Sequence, residues 1–192
     1  MNKYDVSIVI ATYNSEEFIP ECMNSILKQT HPFKKIEVLF INDGSKDNSS
    51  KVCHEYADKY ENVKIIDKEN GGVSSARNTG IKIAQGKYIM ILDADDFYSK
   101  NTIKNLVNFM DKHTEEIDVA AYKIMNYRNS DKTTTNHYRN QFYTKGTGIY
   151  DLREYPYIAQ TTVNIIFKNK LKKNTKRIRS NLIGRKHLFN HR

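Results

Sequence analysis

The apolar residues of this chain fall into short unbroken runs, separated by stretches in which they return every third or fourth position. An unbroken run suits a strand covered on both faces, and the wider spacing suits one face of a helix. Residues 7–11 (SIVIA) therefore predict a first strand. A helix follows, with Phe18, Cys22 and Ile26 on one line and Ile19, Met23 and Leu27 beside it, until Pro32 ends the unit. Residues 36–41 (IEVLFI) predict a second strand, broken by the turn residues Asn42-Asp43-Gly44-Ser45. Asn48 or Ser49 can cap a helix running to Tyr60 with Val52 and Tyr56 inward, and residues 63–66 predict a third strand. Gly71-Gly72 permits a tight turn into a helix over 74–84, which Gly86 closes. Residues 88–92 (YIMIL) predict the fourth strand, 102–112 another helix and 119–125 another strand.

Strands alternating with helices predict an α/β architecture whose sheet is mostly parallel and flanked by helices. The periodic part occupies 1–126. Residues 127–147 turn polar, with the run Thr133-Thr134-Thr135, and read as a loop or hairpin near the active face. Residues 155–167 are more apolar and can add a strand or helix, so 127–167 forms a second region. Residues 168–192 form a third, short, irregular and basic.

Charge sharpens that last boundary. No Asp or Glu follows Glu154, and Lys168, Lys170, Lys172, Lys173, Lys176, Arg177, Arg179, Arg185, Lys186 and Arg192 supply ten of the 31 basic residues. The remaining 21 nearly balance 22 acids, so the net charge of +9 belongs to the tail and says nothing of the main domain. Such a tail suits contact with anionic lipid or an anionic polymer, or simply a solvated terminus. Nucleic acid is not expected, because basic and aromatic residues do not interleave. Cys22 and Cys53 lie in helical patterns without metal-ligand spacing and read as buried or half-buried free thiols. The apolar run at the N-terminus is too short for a signal peptide or a membrane span. The expected location is cytoplasmic, with peripheral contact at the inner face of the membrane through the tail.

Candidate chemistry sits where strands end. Thr12-Tyr13-Asn14 follows the first strand, Asn42-Asp43-Gly44-Ser45 the second and Asp93-Ala94-Asp95-Asp96 the fourth. Open parallel sheets bind ligands outside the carboxyl ends of their strands, so these clusters should meet at one edge. Three carboxylates within one tetrapeptide repel one another and call for a cation. Oxygen donors suit Mg²⁺ or Mn²⁺, ions commonly shared between one or two carboxylates and substrate phosphates. Arg77, near the start of a helix, would suit the spare oxygens of a diphosphate. A solvated acidic turn, a plain Asp-Gly turn, a packing tyrosine and a surface arginine are the bland alternatives. The first strand is not followed by GxGxxG, which disfavours a dinucleotide oxidoreductase.

The segments SIVIATYN, SILKQT, IEVLFINDGSKDNS and ENGGVSSARNTGIKIAQGKYIMILDADD, in that order, resemble the family-2 glycosyltransferases of the GT-A fold from about Ser7 to Tyr98. The resemblance implies that 1–126 is a nucleotide-sugar-binding core. It implies that Thr12 and Tyr13 line the base pocket, with Tyr13 on the uracil, and that Asp43 accepts the ring N–H. Arg77 would face ribose or phosphates, Asp93 would lie near ribose and metal, Ala94 would line the donor site, Asp95 would ligate the metal and Asp96 would support it. The partners so implied are a UDP-sugar donor and a glycan or lipid-linked acceptor, with inversion at the anomeric carbon. Metal held by Asp95 and Asp93 would assist departure of the diphosphate.

An inverting displacement also needs a base for the acceptor hydroxyl. Relatives place a Glu-Asp pair before an apolar pair; here Gly184-Arg185-Lys186-His187-Leu188-Phe189 carries Arg185-Lys186 instead, and a basic pair cannot take a proton. His187 is a conceivable substitute. Val163-Asn164-Ile165 likewise replaces an aromatic-Asn-Lys triplet. A shortened or frame-damaged gene product, an excised piece, and a variant with its base elsewhere all fit. The alternative to a working transferase is thus a UDP-sugar-binding domain without a base.

Overall fold

The computed structural model describes residues 2–128, 133–136 and 164–174. Strands β1 (Tyr4–Thr12), β2 (Ile36–Asn42), β3 (Val63–Asp67) and β4 (Gly86–Asp93) alternate with helices α1 (Ile19–Leu27), α2 (Ser49–Lys59) and α3 (Val73–Ile83). After β4 come α4 (Thr102–Lys112), β5 (Val119–Ala121), the hairpin of β6 (Met125–Arg128) with β7 (Thr133–Asn136), and β8 (Ile165–Lys168). The main sheet has the order β3-β2-β1-β4-β8-β5, parallel from β3 to β4, with β8 antiparallel to both β4 and β5. Chain order therefore reverses direction across β1 and β4, which makes the carboxyl ends of those two strands the switch point of the sheet.

Every residue of β2 is buried, as an unbroken run of apolar residues requires. Along β1 the alternate residues Val6, Ile8 and Ile10 pack in one core with Ile19, Cys22, Met23, Ile26, Cys53, Ile103, Val107 and Met110, from α1, α2 and α4. Val9 faces the other way, with Leu39, Ile41 and Ile91, against Ala76 and Ile81 of α3. The period of two in the strands thus sorts three helices to one face and one to the other. Gly80 lets α3 lie directly on the sheet, since a Cβ there would stand 2.2 Å from Val9 Cγ1.

The amino ends of the strands are joined by a buried polar cluster that patterning did not indicate. Glu37 is fully buried in β2. It accepts from Ser7 Oγ (2.5 Å), Lys64 Nζ (3.0 Å) and the Gln85 backbone N–H (2.8 Å), while Gly86 N–H donates to Ser7 Oγ (2.8 Å). One carboxylate ties β1, β2, β3 and the start of β4 together. Gly86 begins β4 rather than closing a helix, because a Cβ there would lie 2.5 Å from Ser7 N.

Several boundaries differ from those expected. Phe18 is 48% exposed, because α1 begins at Ile19 and the residue before it points outward. Asn48 occupies the N-cap position of α2 without a side-chain capping bond, and the acceptor there is Asp47 Oδ1, which takes both the Ser49 N–H (3.0 Å) and the Ser49 hydroxyl (2.6 Å). The single strand expected over 119–125 is two, β5 and β6, in different sheets. The apolar stretch ending at Phe167 does contribute a strand, β8, inserted between β4 and β5. Both thiols are buried, which pushes Cys53 up to about 12 and Cys22 higher still, so they pack rather than react. No helix among the described residues is long and apolar enough to cross a membrane. Residues 184–189 and most of the basic tail lie outside the described residues.

Glu37→Ala should lower stability by about 2–4 kcal/mol, since a buried hydroxyl, a partly buried backbone amide and a half-exposed ammonium lose their acceptor. Chemical denaturation reads this as a lower midpoint with unchanged slope; an unchanged midpoint would show the cluster to be dispensable.

Candidate active site

Strand register decides what meets at the carboxyl edge. Ala11 pairs with Asp93 and Thr12 with Asn42, so β1, β2 and β4 stop at the same level. Thr12 is buried, with its hydroxyl directed to the Ile41 carbonyl (3.3 Å), and its own carbonyl accepts from Asp43 N–H (2.9 Å). Tyr13, the next residue, is 47% exposed at this edge. Asn14 then adopts a left-handed backbone (φ 49°), which Asn tolerates better than most residues. In that conformation its N–H donates to Ser45 Oγ (3.0 Å) and its Oδ1 accepts from Lys46 N–H (2.8 Å). Two further bonds, Ser15 N–H to Ser49 Oγ and Asn48 N–H to Glu16 Oε2 (both 2.7 Å), clasp the loop after β1 to the loop after β2.

Asp43 is buried beside this clasp. Its Oδ1 accepts from Lys68 Nζ (2.5 Å) and from Gly71 N–H (3.0 Å). Sequence reading named Asp43 but missed Lys68 and the Gly71 amide, which come from the far side of β3; the Gly71-Gly72 pair was the available signal. Gly44 is required here: its φ is +74°, and a Cβ would press on Asn70 N at 2.9 Å.

Arg77 is not a surface residue. It is buried on α3, and its guanidinium bonds Asp93 Oδ1 at the tip of β4 (2.5 Å). Ala94 is buried, whereas Asp95 and Asp96 are exposed. One carboxylate oxygen from each of Asp93, Asp95 and Asp96 lies within 4.8 Å of the others. Crowding by protein strips solvation from the Asp96 carboxyl although the residue reaches water, and the charges of Asp93 and Asp95 add to this. Together they push its pKa up to about 6, against a smaller lowering by Arg77. Three hard oxygen donors at this spacing fit Mg²⁺ or Mn²⁺ and fit no softer metal as well. Every residue singled out at the strand ends is therefore on one edge. Arg185-Lys186 and His187 lie outside the described residues, and of the Val163-Asn164-Ile165 triplet only Asn164 and Ile165 are described, both buried.

A cleft of about 590 Å³ lies at the opposite, amino end of the sheet, lined by residues including Asn2, Gln85, Lys87 and Lys168. It is the weaker candidate, because Asp118 already pairs with Lys168 (3.0 Å) and Lys170 (3.3 Å) there.

Residues 7–185 match the family model of glycosyl transferase family 2. The chain belongs to that family. Among curated family members it is 41% identical, over 155 residues, to the minor teichoic acid biosynthesis protein GgaB of Bacillus subtilis, covering 80% of this chain and 17% of that protein. The crystal structure of S. aureus TarS 1–349 superposes with a TM-score of 0.75 at 28% identity, covering 90% of this chain and 49% of that one. The same TarS piece solved with UDP-GlcNAc gives a TM-score of 0.69 at 28% identity, over 90% of this chain and 47% of that one. The family-2 chain described here thus spans about half of the TarS piece and a smaller part of GgaB. The mostly parallel sheet with flanking helices is the GT-A architecture expected from the sequence.

In metal-free protein the crowding of the Asp96 carboxylate by protein, together with the like charges beside it, should cost stability. The Asp96 carboxyl has a folded pKa of about 6 against an ordinary 3.8, so folding takes up a proton between those values. Stability is then lost as pH rises through that window. Asp96→Asn should raise Tm in EDTA at pH 7.5, and the gain should vanish below about pH 4. Equal gains at both pH values would contradict the charge argument.

Proposed function

We propose that the chain is the donor-binding part of a metal-dependent, inverting glycosyltransferase that moves a sugar from a UDP-sugar to a surface polysaccharide or similar glycan acceptor. The observation that carries this reading is the meeting of Thr12, Asp43 and the Asp93–Asp96 carboxylates at the switch point of a family-2 sheet. TarS, whose name describes a poly(ribitol-phosphate) β-N-acetylglucosaminyltransferase and which has been solved with UDP-GlcNAc, supports the choice of nucleotide and of a wall-polymer acceptor. GgaB, named for teichoic acid biosynthesis, supports the same class of acceptor.

On this reading Tyr13 offers its exposed ring to the uracil face, a stack worth about 1 kcal/mol beyond area burial. Asp43 accepts the ring N–H through Oδ2, because its bonds to Lys68 and Gly71 occupy Oδ1. Thr12 and Ala94 close the wall of the pocket. Arg77 holds Asp93 in place and presents positive charge toward ribose and phosphates. Asp95 and Asp93 are the residues that would hold Mn²⁺ or Mg²⁺, and Asp96 supports them. Such an ion, when bound, neutralises the charge that builds on a departing diphosphate. The acceptor hydroxyl must lose a proton to a base as the new bond forms. Arg185-Lys186 at the position where relatives carry acids favours the second reading, a domain that binds UDP-sugar without transfer. Contact of the basic tail with the inner face of the membrane, a cytoplasmic location and the absence of nucleic acid among its partners belong to the same proposal.

Calorimetric titration of UDP with and without Mn²⁺, followed by UDP release from UDP-sugars in the presence of wall-glycan extracts, tests both readings. Asp95→Ala should lower metal-dependent UDP affinity by about tenfold or more, as loss of one charge-bearing ligand predicts. Unchanged affinity would overturn the metal assignment. Binding without release by any extract would select the second reading.

A further inference from the structure

Asp43 is buried at the end of β2, yet the hydrogen bonds it accepts are confined to one oxygen. Lys68 Nζ and Gly71 N–H both donate to Oδ1, which fills the two lone pairs of that atom. Among the described residues no donor reaches Oδ2. The arrangement is built rather than incidental. The Lys68 backbone N–H is fixed to the Asn42 carbonyl (3.0 Å), and its ammonium also bonds the Glu69 carbonyl. Gly71 supplies the room, since a Cβ there would stand 3.1 Å from Lys68 Nζ and 2.8 Å from Ser75 Oγ.

Toward a nucleobase, Asp43 therefore presents one acceptor with a cation next to it. The edge of uracil reads acceptor, donor, acceptor (O2, N3–H, O4) and needs a single acceptor. The edge of guanine places two donors side by side, N1–H and the 2-amino group, and would use both oxygens of a carboxylate. Resting on the UDP-sugar reading above, we infer that Lys68 sets the choice of nucleobase. By saturating Oδ1 it makes Asp43 a one-oxygen acceptor that admits uracil and leaves the 2-amino group of guanine without a partner, facing an ammonium. An unpaired polar group buried on binding is a strong basis for rejection. Cytosine is excluded independently of Lys68, because its N3 carries a lone pair where Asp43 requires a proton.

The test uses UDP, CDP, GDP and inosine diphosphate, which is GDP without the 2-amino group, titrated calorimetrically into the full chain with Mn²⁺. For the native protein the expected order is UDP tightest, inosine diphosphate about fivefold or more tighter than GDP, and CDP weak. Lys68→Met opens Oδ1, so the advantage of inosine diphosphate over GDP should disappear and GDP should gain about tenfold on UDP. Lys68→Arg retains a donor and should keep the native order. A merely structural Lys68 would weaken all four nucleotides alike, and an unchanged ratio of GDP to inosine diphosphate in Lys68→Met would overturn the inference. If Lys68→Met does not fold, equal affinity of the native protein for GDP and inosine diphosphate overturns it without any variant. Failure of the native protein to bind UDP strikes the donor reading itself, a result separable from either of these.

Discussion

The register of β1 between its two parallel neighbours is the constraint from which the rest of the molecule follows. Pairing of Ala11 with Asp93 and Thr12 with Asn42 ends three strands at one level and gathers their loops on one edge. A slip of one residue would turn each side chain to the opposite face. Because both faces are apolar, polarity alone would not forbid that slip; shape does. Gly80 accepts Val9 and Gly86 accepts the Ser7 backbone, contacts that a shifted β1 could not remake. At the amino end, the buried carboxylate of Glu37 links β1, β2, β3 and the entry to β4 through hydrogen bonds. One end of the sheet thus holds the strands in phase while the other displays the chemistry.

Charge at the displayed end is only partly neutralised by the protein itself. Arg77 answers Asp93 and Lys68 answers Asp43, each through a single carboxylate oxygen. Asp95 and Asp96 remain exposed with their oxygens close to Asp93. On the proposed reading, these fixed cations and the exposed carboxylates beside them suit a divalent ion and a diphosphate bound together. Burial first, and the neighbouring charges of Asp93 and Asp95 second, raise the pKa of Asp96.

Much of this was legible in the sequence because short apolar runs and their polar endings are local signals. SIVIA, IEVLFI and YIMIL became β1, β2 and β4, and the three polar clusters behind them met as the sheet rule requires. What escaped was non-local. Nothing near Glu37 in sequence announces that Ser7 and Lys64 will enclose it, and nothing near Asp43 announces Lys68, whose approach depends on how β3 turns into α3. The antiparallel insertion of β8 between β4 and β5 was equally hidden, since an apolar stretch states that it is buried without stating where. Phe18 failed for a different reason: the helical period was read correctly but extended one residue past the true start of α1.

A crystal structure of the chain soaked with UDP and Mn²⁺, with the ion located by its anomalous scattering, tests the central claim most directly. The anomalous peak should lie against Asp95 and Asp93 and the uracil ring between Tyr13 and Asp43 Oδ2. A nucleotide bound instead in the cleft lined by Asn2, Lys87 and Lys168, at the amino end of the sheet, would contradict it.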